Sequence, residues 1–238
     1  ASTGTLHLLS YLLWEREGVA TFEVTRALLL DTITQPADHL RTSADAAEQI
    51  KHVVLGGQTI LIEDIAAVRS DLLALLAIYN AGGRFGIGPW YVHVDSQLVS
   101  GESIIRNLLL GRTDVTRHGI ELMSAAFMPH VVEHAAQLPQ ILSGFNITSL
   151  LITTPQSVMS MPFRWVAPDD SHVLVINHFE AGNVAETVKE QEYTQPDGPF
   201  LWLNQIDSQT KLVAPDVSGE VKKTTIQSTL GDYVAALR

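Results

Sequence analysis

The chain has no cysteine among its 238 residues. This absence excludes a disulfide framework, a thiolate nucleophile and a zinc site built from cysteine. Any metal binding or acid–base catalysis must therefore come from the nine histidines and from the carboxylates.

Cations are also scarce, with 15 Lys and Arg against 26 Asp and Glu and a net charge of −11. Nucleic-acid binding draws much of its affinity from clustered cations, so we expect no nucleic-acid partner. No apolar run reaches the roughly 18–20 residues of a membrane span, and the first residues lack the basic region and cleavage site of a signal peptide. We therefore expect no membrane partner and a cytoplasmic location.

Apolar residues make up 46% of the chain and charged residues 17%, which is typical of a globular protein with one large core. We expect Pro36 to end the helix at 21–34 and Ser100 to cap the helix at 101–118. Strand and helix patterns alternate, and the expected strands are 5–13, 52–55, 85–91, 122–128, 150–153, 163–166, 173–176 and 200–204. Strand–helix units of ~30 residues predict an α/β fold with a mostly parallel sheet flanked by helices, either open or closed into a barrel.

Aromatic and polar side chains follow several of these strands, where the functional residues of α/β proteins lie. Trp14, Trp90, Tyr91 and Asp95 are candidates for a saccharide site, because aromatic rings stack on sugars and carboxylates catalyse glycosidic cleavage. The alternative for the two tryptophans is an ordinary place in the core.

His130 and His134 are four residues apart, a spacing that can chelate a metal on a helix. The residues between them do not form the metalloprotease motif HExxH, since two valines follow His130. Surface or helix-capping histidines are the favoured interpretation.

Several segments in the same order and spacing resemble glycoside hydrolase family 38, the zinc-dependent retaining α-mannosidases. The resemblance is carried by LHLLSYLLWERE (6–17), GGQTILIEDI (56–65), GPWYVHVDSQLVSGESIIRNLLLG (88–111), AAQLPQILSGFNI (135–147), FLWLNQID (200–207) and STLGDYVAALR (228–238). It implies that residues 1–238 form a single domain, the N-terminal catalytic domain of the family, with a seven-stranded, mostly parallel β/α barrel and flanking helices. The helical bundle and β domains that normally follow are not expected in this chain.

The same resemblance implies a catalytic site in which several key positions are substituted. Leu13 stands at a zinc-ligand position where the family has histidine, and Glu15 stands where it has an aspartate ligand. His130 stands at the position of the nucleophilic aspartate, and Asp207 keeps the position of the general acid/base. Leucine cannot coordinate a metal, so the family's zinc is not expected to bind tightly, with Glu15 a weak candidate ligand.

These substitutions lead to two hypotheses. In the first, the chain is an α-mannosidase-like carbohydrate-processing domain that is catalytically degenerate, since retaining hydrolysis needs two carboxylates. In the second, it is a non-catalytic module or scaffold derived from the barrel that binds a mannose-containing saccharide. A polysaccharide deacetylase ranks lowest, because it needs an Asp and two His ligands and the chain offers no second His motif to supply them. We also expect weak self-association through the surface left by the missing domains.

Overall fold

The computed structural model describes residues 4–14, 20–42, 50–129, 133–154, 162–179, 184–194, 198–206 and 223–237. Within these ranges the chain forms nine strands and seven helices. The strands are β1 (Thr5–Leu12), β2 (Val53–Leu55), β3 (Phe85–Ile87), β4 (Ala125–Met128), β5 (Ser149–Thr154), β6 (Phe163–Val166), β7 (His172–Phe179), β8 (Phe200–Ile206) and β9 (Thr224–Gln227). The helices are α1 (Phe22–Thr42), α2 (Ile60–Val68), α3 (Ser70–Ala81), α4 (Gly101–Arg117), α5 (Leu138–Gly144), α6 (Val184–Thr194) and α7 (Leu230–Ala236).

The first sheet is organised around β1, which is apolar and buried along its length. Its strand order is β3-β2-β1-β8, and every pairing is parallel. Strand β8 follows β1 from Leu6 to Leu12, while β9 and β2 pair with its first and second halves. Buried parallel strands of this kind need helices on their faces, as the alternating elements predict.

The second sheet has the order β4-β5-β7-β6, with β6 forming an antiparallel hairpin with β7. Eight of the nine described strands, β1–β5 and β7–β9, thus have at least one parallel partner, and β6 pairs only in the antiparallel sense. Backbone pairing between described residues is interrupted from β3 to β4 and from β7 to β8. The mixed α/β fold with a mostly parallel sheet is therefore confirmed, whereas a closed seven-stranded ring is not observed.

Side chains from both sheets nevertheless meet in one shared core, which we call the interior cluster. Its members come from β1, β2, β4, β5, β7, β8 and α7, and they are Leu9, Tyr11, Val54, Ala125, Phe127, Leu151, Ile176, Leu201, Leu203, Leu230, Tyr233 and Val234. The amide of Ser228, just before α7, donates to the Leu8 carbonyl. Helix α7 therefore packs against the interior from the amino ends of the strands.

The opposite face of the sheets is covered by the other helices. Leu12 packs with α1, α2 and α3 in a second core, while β4, β5 and β7 pack with α4 and α5 in a third. Alternation along β1 thus sends Leu9 and Tyr11 inward and Leu12 outward, as strand geometry requires. No helix in the described ranges is long and apolar enough to cross a membrane.

Several boundaries differ from the sequence predictions. The expected stop at Pro36 is wrong, because α1 continues through it to Thr42. Ile33 and Ala37, one turn apart, are both buried in the core with α3, and the Tyr79 hydroxyl donates to the Ala37 carbonyl. Tertiary packing therefore outweighs the cost of the proline. Strand β3 ends at Ile87 rather than at residue 91, and β9 was not predicted.

Candidate active site

The carboxyl ends of β1, β2 and β3 are joined by a side-chain amide. The Gln58 Nε2 donates to the Trp14 carbonyl at 3.1 Å, and its Oε1 accepts from the His93 amide at 2.9 Å. Gln58 therefore holds the segment after β1 against the loop after β3. Sequence analysis missed this residue, since a single glutamine after a glycine turn carries no recognisable signal.

The turn that presents Gln58 requires glycine. Gly57 has a φ of +76°, and a Cβ on it would lie 2.6 Å from the Phe127 carbonyl oxygen and 3.0 Å from His93 Nε2. Phe127 belongs to the interior cluster, so His93 lies close to the carboxyl end of that cluster. His93 was not among the sequence candidates, although it carries an imidazole and lies on the loop that follows β3.

The two candidate tryptophans both pack into cores on the outer side of the sheets. Trp90 is 0% exposed and lies among residues of β4, β5, α4 and α5. Its ring has no free face for a sugar in this conformation. Trp90 therefore agrees with the alternative prediction, an ordinary place in the core. Trp14 is half-buried against the core that includes Leu12, and its Nε1 has no hydrogen-bond partner in the part of the chain that the structure describes.

Tyr91 and Asp95 lie on the loop between β3 and α4. Tyr91 is half-buried, and its hydroxyl donates to Glu63 Oε2 on α2 at 3.1 Å. Its amide donates to Asn107 Oδ1 on α4, which fixes the start of the loop. Asp95 is exposed, and its Oδ1 accepts from the Gln97 amide at 2.9 Å in a local turn. Of the four saccharide candidates, Asp95 is the most accessible.

His134 lies beside this loop and outside any helix, so it does not offer the helical chelating geometry considered for the pair with His130. Its carbonyl accepts from Gln97 Nε2, and its ring lies 6.0 Å from the Trp165 ring. Both ring nitrogens are buried and have no partner among the described residues. Burial lowers the pKa of His134, an effect that Asp95 partly opposes.

Polar groups also project into the interior near the carboxyl ends of β1, β7 and β8. The Tyr11 hydroxyl donates to Gln205 Oε1 at 3.0 Å, and the Tyr11 ring stands edge-on to Phe127. His178 on β7 is buried, and burial lowers its pKa to about 4, so its imidazole is neutral at physiological pH. None of these three side chains was assigned a catalytic or binding role from the sequence.

Glu15, His130 and Asp207 lie outside the described residues, so their predicted roles remain predictions. Leu13 is described, and its half-buried side chain packs against the interior cluster. An aliphatic group at this point offers no atom to a cation.

A family model described as the N-terminal domain of glycosyl hydrolases family 38 matches residues 74–229, more than half of the chain. The chain belongs to glycosyl hydrolase family 38. This confirms the resemblance identified in the sequence segments.

Two relatives and one solved structure show which kinds of family 38 protein this chain is similar to. A protein of Halalkalibacterium halodurans named mannosylglycerate hydrolase is 30% identical over 80% of this chain and 23% of its own length. Alpha-mannosidase 2C1 of Mus musculus is 29% identical over 64% of this chain and 15% of its own length. The crystal structure of an alpha-mannosidase from Enterococcus faecalis has a TM-score of 0.77, with 19% identity over 99% of this chain and 29% of that one.

The structural likeness confirms the fold of a family 38 N-terminal domain. The chain spans about a quarter of the length of the relative that it matches over 80% of its own residues.

The zinc that the resemblance to family 38 implies would need several His, Asp or Glu ligands. No group of three His, Asp or Glu side chains within the described part of the chain is placed to hold a metal ion. The Trp14 carbonyl accepts a hydrogen bond from Gln58, which holds the strand end that carries Leu13 against the loop after β3. At Leu13, the residue present does not fit a zinc ligand.

Proposed function

We propose that this chain is an α-mannosidase-like carbohydrate-processing domain in which metal-dependent hydrolysis is negligible. The observation that carries the proposal is Leu13, whose side chain packs against the interior cluster at the strand end that should supply a ligand. Family membership and the two relatives support the carbohydrate class of substrate. Degeneracy is our inference from the substituted positions.

The histidine expected at the nucleophile position also supports negligible hydrolysis. His130 cannot form the glycosyl ester that a carboxylate forms in a retaining enzyme. Asp207 alone could still protonate a leaving oxygen, but it would lack a partner on the opposite face of the sugar.

A second candidate function is saccharide binding without turnover. It is favoured by the exposed Asp95 carboxylate next to the half-buried Tyr91, on a loop that Asn107 and Gln58 hold by hydrogen bonds. Calorimetry with mannose oligosaccharides would detect such binding, and Asp95→Asn should weaken it. Absence of heat at millimolar sugar would leave only a structural role.

The main proposal is tested by zinc analysis and by hydrolysis of an aryl α-mannoside by the purified protein. We expect substoichiometric zinc and turnover no faster than that of Asp207→Ala. The double variant Leu13→His, His130→Asp should raise zinc affinity at least about tenfold, because it adds a ligand-type side chain at position 13 and places the carboxylate that the family resemblance implies at position 130. The matched control Leu13→Met with His130→Asp keeps position 13 without a nitrogen or oxygen ligand, and should bind zinc more weakly.

Stoichiometric zinc in the unsubstituted protein, together with turnover well above that of Asp207→Ala, would contradict the proposal. Zinc binding restored in the double variant but not in the control would support it.

A further inference from the structure

A cavity of about 620 Å³ opens at the amino ends of β4 and β5. It lies between the second half of α4, the segment 119–124 that leads into β4, and the turn 145–147 that leads into β5. Strand β4 has four residues and spans ~13 Å, so the cavity is at the opposite end of the sheet from Pro129 and His134. It is therefore separate from the candidate active site.

The wall of the cavity is largely apolar. Leu108, Val115, Ile120 and Ile147 are buried core residues that line it, and Phe145 lies at its edge. The volume is within the range of roughly 300–1,000 Å³ that is typical of small-molecule sites. A concave space of this size fits a ligand with one or two rings better than a helix or a strand from a partner protein.

The mouth of the cavity carries a positioned cation. Arg112 on α4 donates from Nη2 to the Phe145 carbonyl at 3.2 Å, and its guanidinium carbon lies 5.6 Å from the Phe145 ring centroid. These contacts hold the planar group at the edge of an apolar space, and its other N–H groups have no hydrogen-bond partner among the described residues. A guanidinium in this setting recognises carboxylate, sulfonate or phosphate oxygens.

The polar side chains near Arg112 are compatible with such a ligand. Thr116 follows it by one turn and is exposed, and its hydroxyl donates to the Arg112 carbonyl at 2.7 Å. Asn146 has a φ of +60°, and Ser124 is exposed at the start of β4. Both line the cavity and can hydrogen-bond to a ligand's polar end.

We propose that this cavity is a binding site for a small amphipathic anion, an aromatic or short aliphatic acid whose apolar body lies along Leu108, Ile120 and Ile147 and whose acidic group pairs with Arg112. The site is independent of zinc, of the candidate catalytic residues and of the proposed carbohydrate function. The lining carries one cation, Arg112, and one carboxylate, Glu121, so the acidic group of the ligand is expected to pair with Arg112.

The test uses two fluorescent probes of similar shape and different charge. We expect 8-anilinonaphthalene-1-sulfonate, an aromatic anion, to bind saturably with one site per chain, and neutral N-phenyl-1-naphthylamine to bind the same site more weakly. Arg112→Gln should weaken binding of the anionic probe about tenfold and leave the neutral probe unchanged. Thr116→Phe places a ring in the opening and should weaken binding of both.

Matched variants on the same helix separate the site from a general surface effect. Arg106→Gln removes an exposed arginine outside the cavity wall, and Thr113→Phe alters a threonine that also bonds its own helix backbone but does not line the cavity. Neither should change the affinity for either probe. Circular dichroism should show the four variants folded, because all four substituted side chains are exposed on α4.

Two results would overturn the proposal. One is an affinity for the anionic probe that Thr116→Phe leaves intact. The other is a loss in Arg106→Gln as large as that in Arg112→Gln, which would assign the binding to nonspecific charge. Neither result depends on whether the protein hydrolyses or binds a mannoside.

Discussion

The two ends of the parallel strands differ in how completely their polar groups are paired. At the amino ends, His7 Nδ1 lies 2.9 Å from Ser228 Oγ, and Thr229 and Asp232 cap α7 reciprocally. At the carboxyl ends, the ring nitrogens of His134 and the Nε1 of Trp14 are buried without partners among the described residues. The amino ends therefore stabilise the fold, and the carboxyl ends keep unused hydrogen-bonding capacity, as expected of the functional edge of an α/β protein.

A second contrast concerns how each end is tied together by an amide side chain. Gln58 joins the segments after β1 and β3, as described above, whereas Asn80 joins the segments around β3 and before β4. The Asn80 Nδ2 donates to the carbonyls of Phe85 and Glu121, and its Oδ1 accepts from the Glu121 amide. Asn80, at the amino ends, thus makes three hydrogen bonds, and Gln58, at the carboxyl ends, makes two.

The largest expected effect comes from crowding the carboxyl end. Gly57→Ala would place a methyl group 2.6 Å from the Phe127 carbonyl oxygen at a φ of +76°. We expect the free energy of unfolding to fall by about 3 kcal/mol, since backbone strain and a steric clash add. Urea denaturation followed by circular dichroism measures the loss.

The matched control is Gly83→Ala at the amino end of β3. Gly83 has a similar φ of +69°, but nothing lies within 4 Å of a Cβ placed on it. The expected loss is about 1 kcal/mol, from conformation alone. Equal losses in the two variants would show that the close approach of Phe127 and His93 to Gly57 does not constrain this end of the sheet.

The regular scaffold was accessible from the sequence because local patterns determine it. The buried run at 5–13 became β1, and Ser100 caps α4 by accepting from the Ser103 amide at 3.1 Å. The continuation of α1 past Pro36 and the strand β9 depend on partners distant in the chain, which local periodicity does not report.

The candidate site was less accessible for the same reason. The burial of Trp90 and the contacts of Gln58 arise from tertiary packing, so residue type alone suggested a sugar platform for one and nothing for the other. The role expected at position 13 came from the resemblance to family 38, but the packing of Leu13 against the interior cluster required the structure. The roles of Glu15, His130 and Asp207 stay predictions.

An intermediate effect is expected from a buried carboxyl near the carboxyl end of β2. Asp114 on α4 is 3% exposed, and burial, with a smaller contribution from Glu63, raises its pKa from 3.8 to about 6. The folded protein thus holds this proton more tightly than the unfolded chain does. The stability that the protonated group contributes is complete below pH ~4 and is lost as the pH rises through about 6.

Replacing Asp114 by Asn should remove this dependence and raise the free energy of unfolding above pH 7 by about 2 kcal/mol, since two pKa units correspond to at most ~3 kcal/mol. Urea denaturation from pH 4 to pH 8 measures the difference. Glu102→Gln, on the exposed side of the same helix, should leave the slope unchanged. A slope that persists in Asp114→Asn would assign the pH dependence to another group.

The smallest expected effect tests the two amide ties by a local measurement. Gln58→Met keeps the length of the side chain but removes both of its hydrogen bonds, which leaves the Trp14 carbonyl and the His93 amide without this partner. We expect a loss of about 1 kcal/mol in the free energy of unfolding and faster hydrogen exchange at the His93 amide. Asn80→Leu should instead accelerate exchange at the Glu121 amide and leave His93 unchanged. If each substitution accelerated exchange at both amides equally, the two ends of the sheet would open as one cooperative unit. The unpaired polar groups at the carboxyl ends would then not allow that end to change conformation independently.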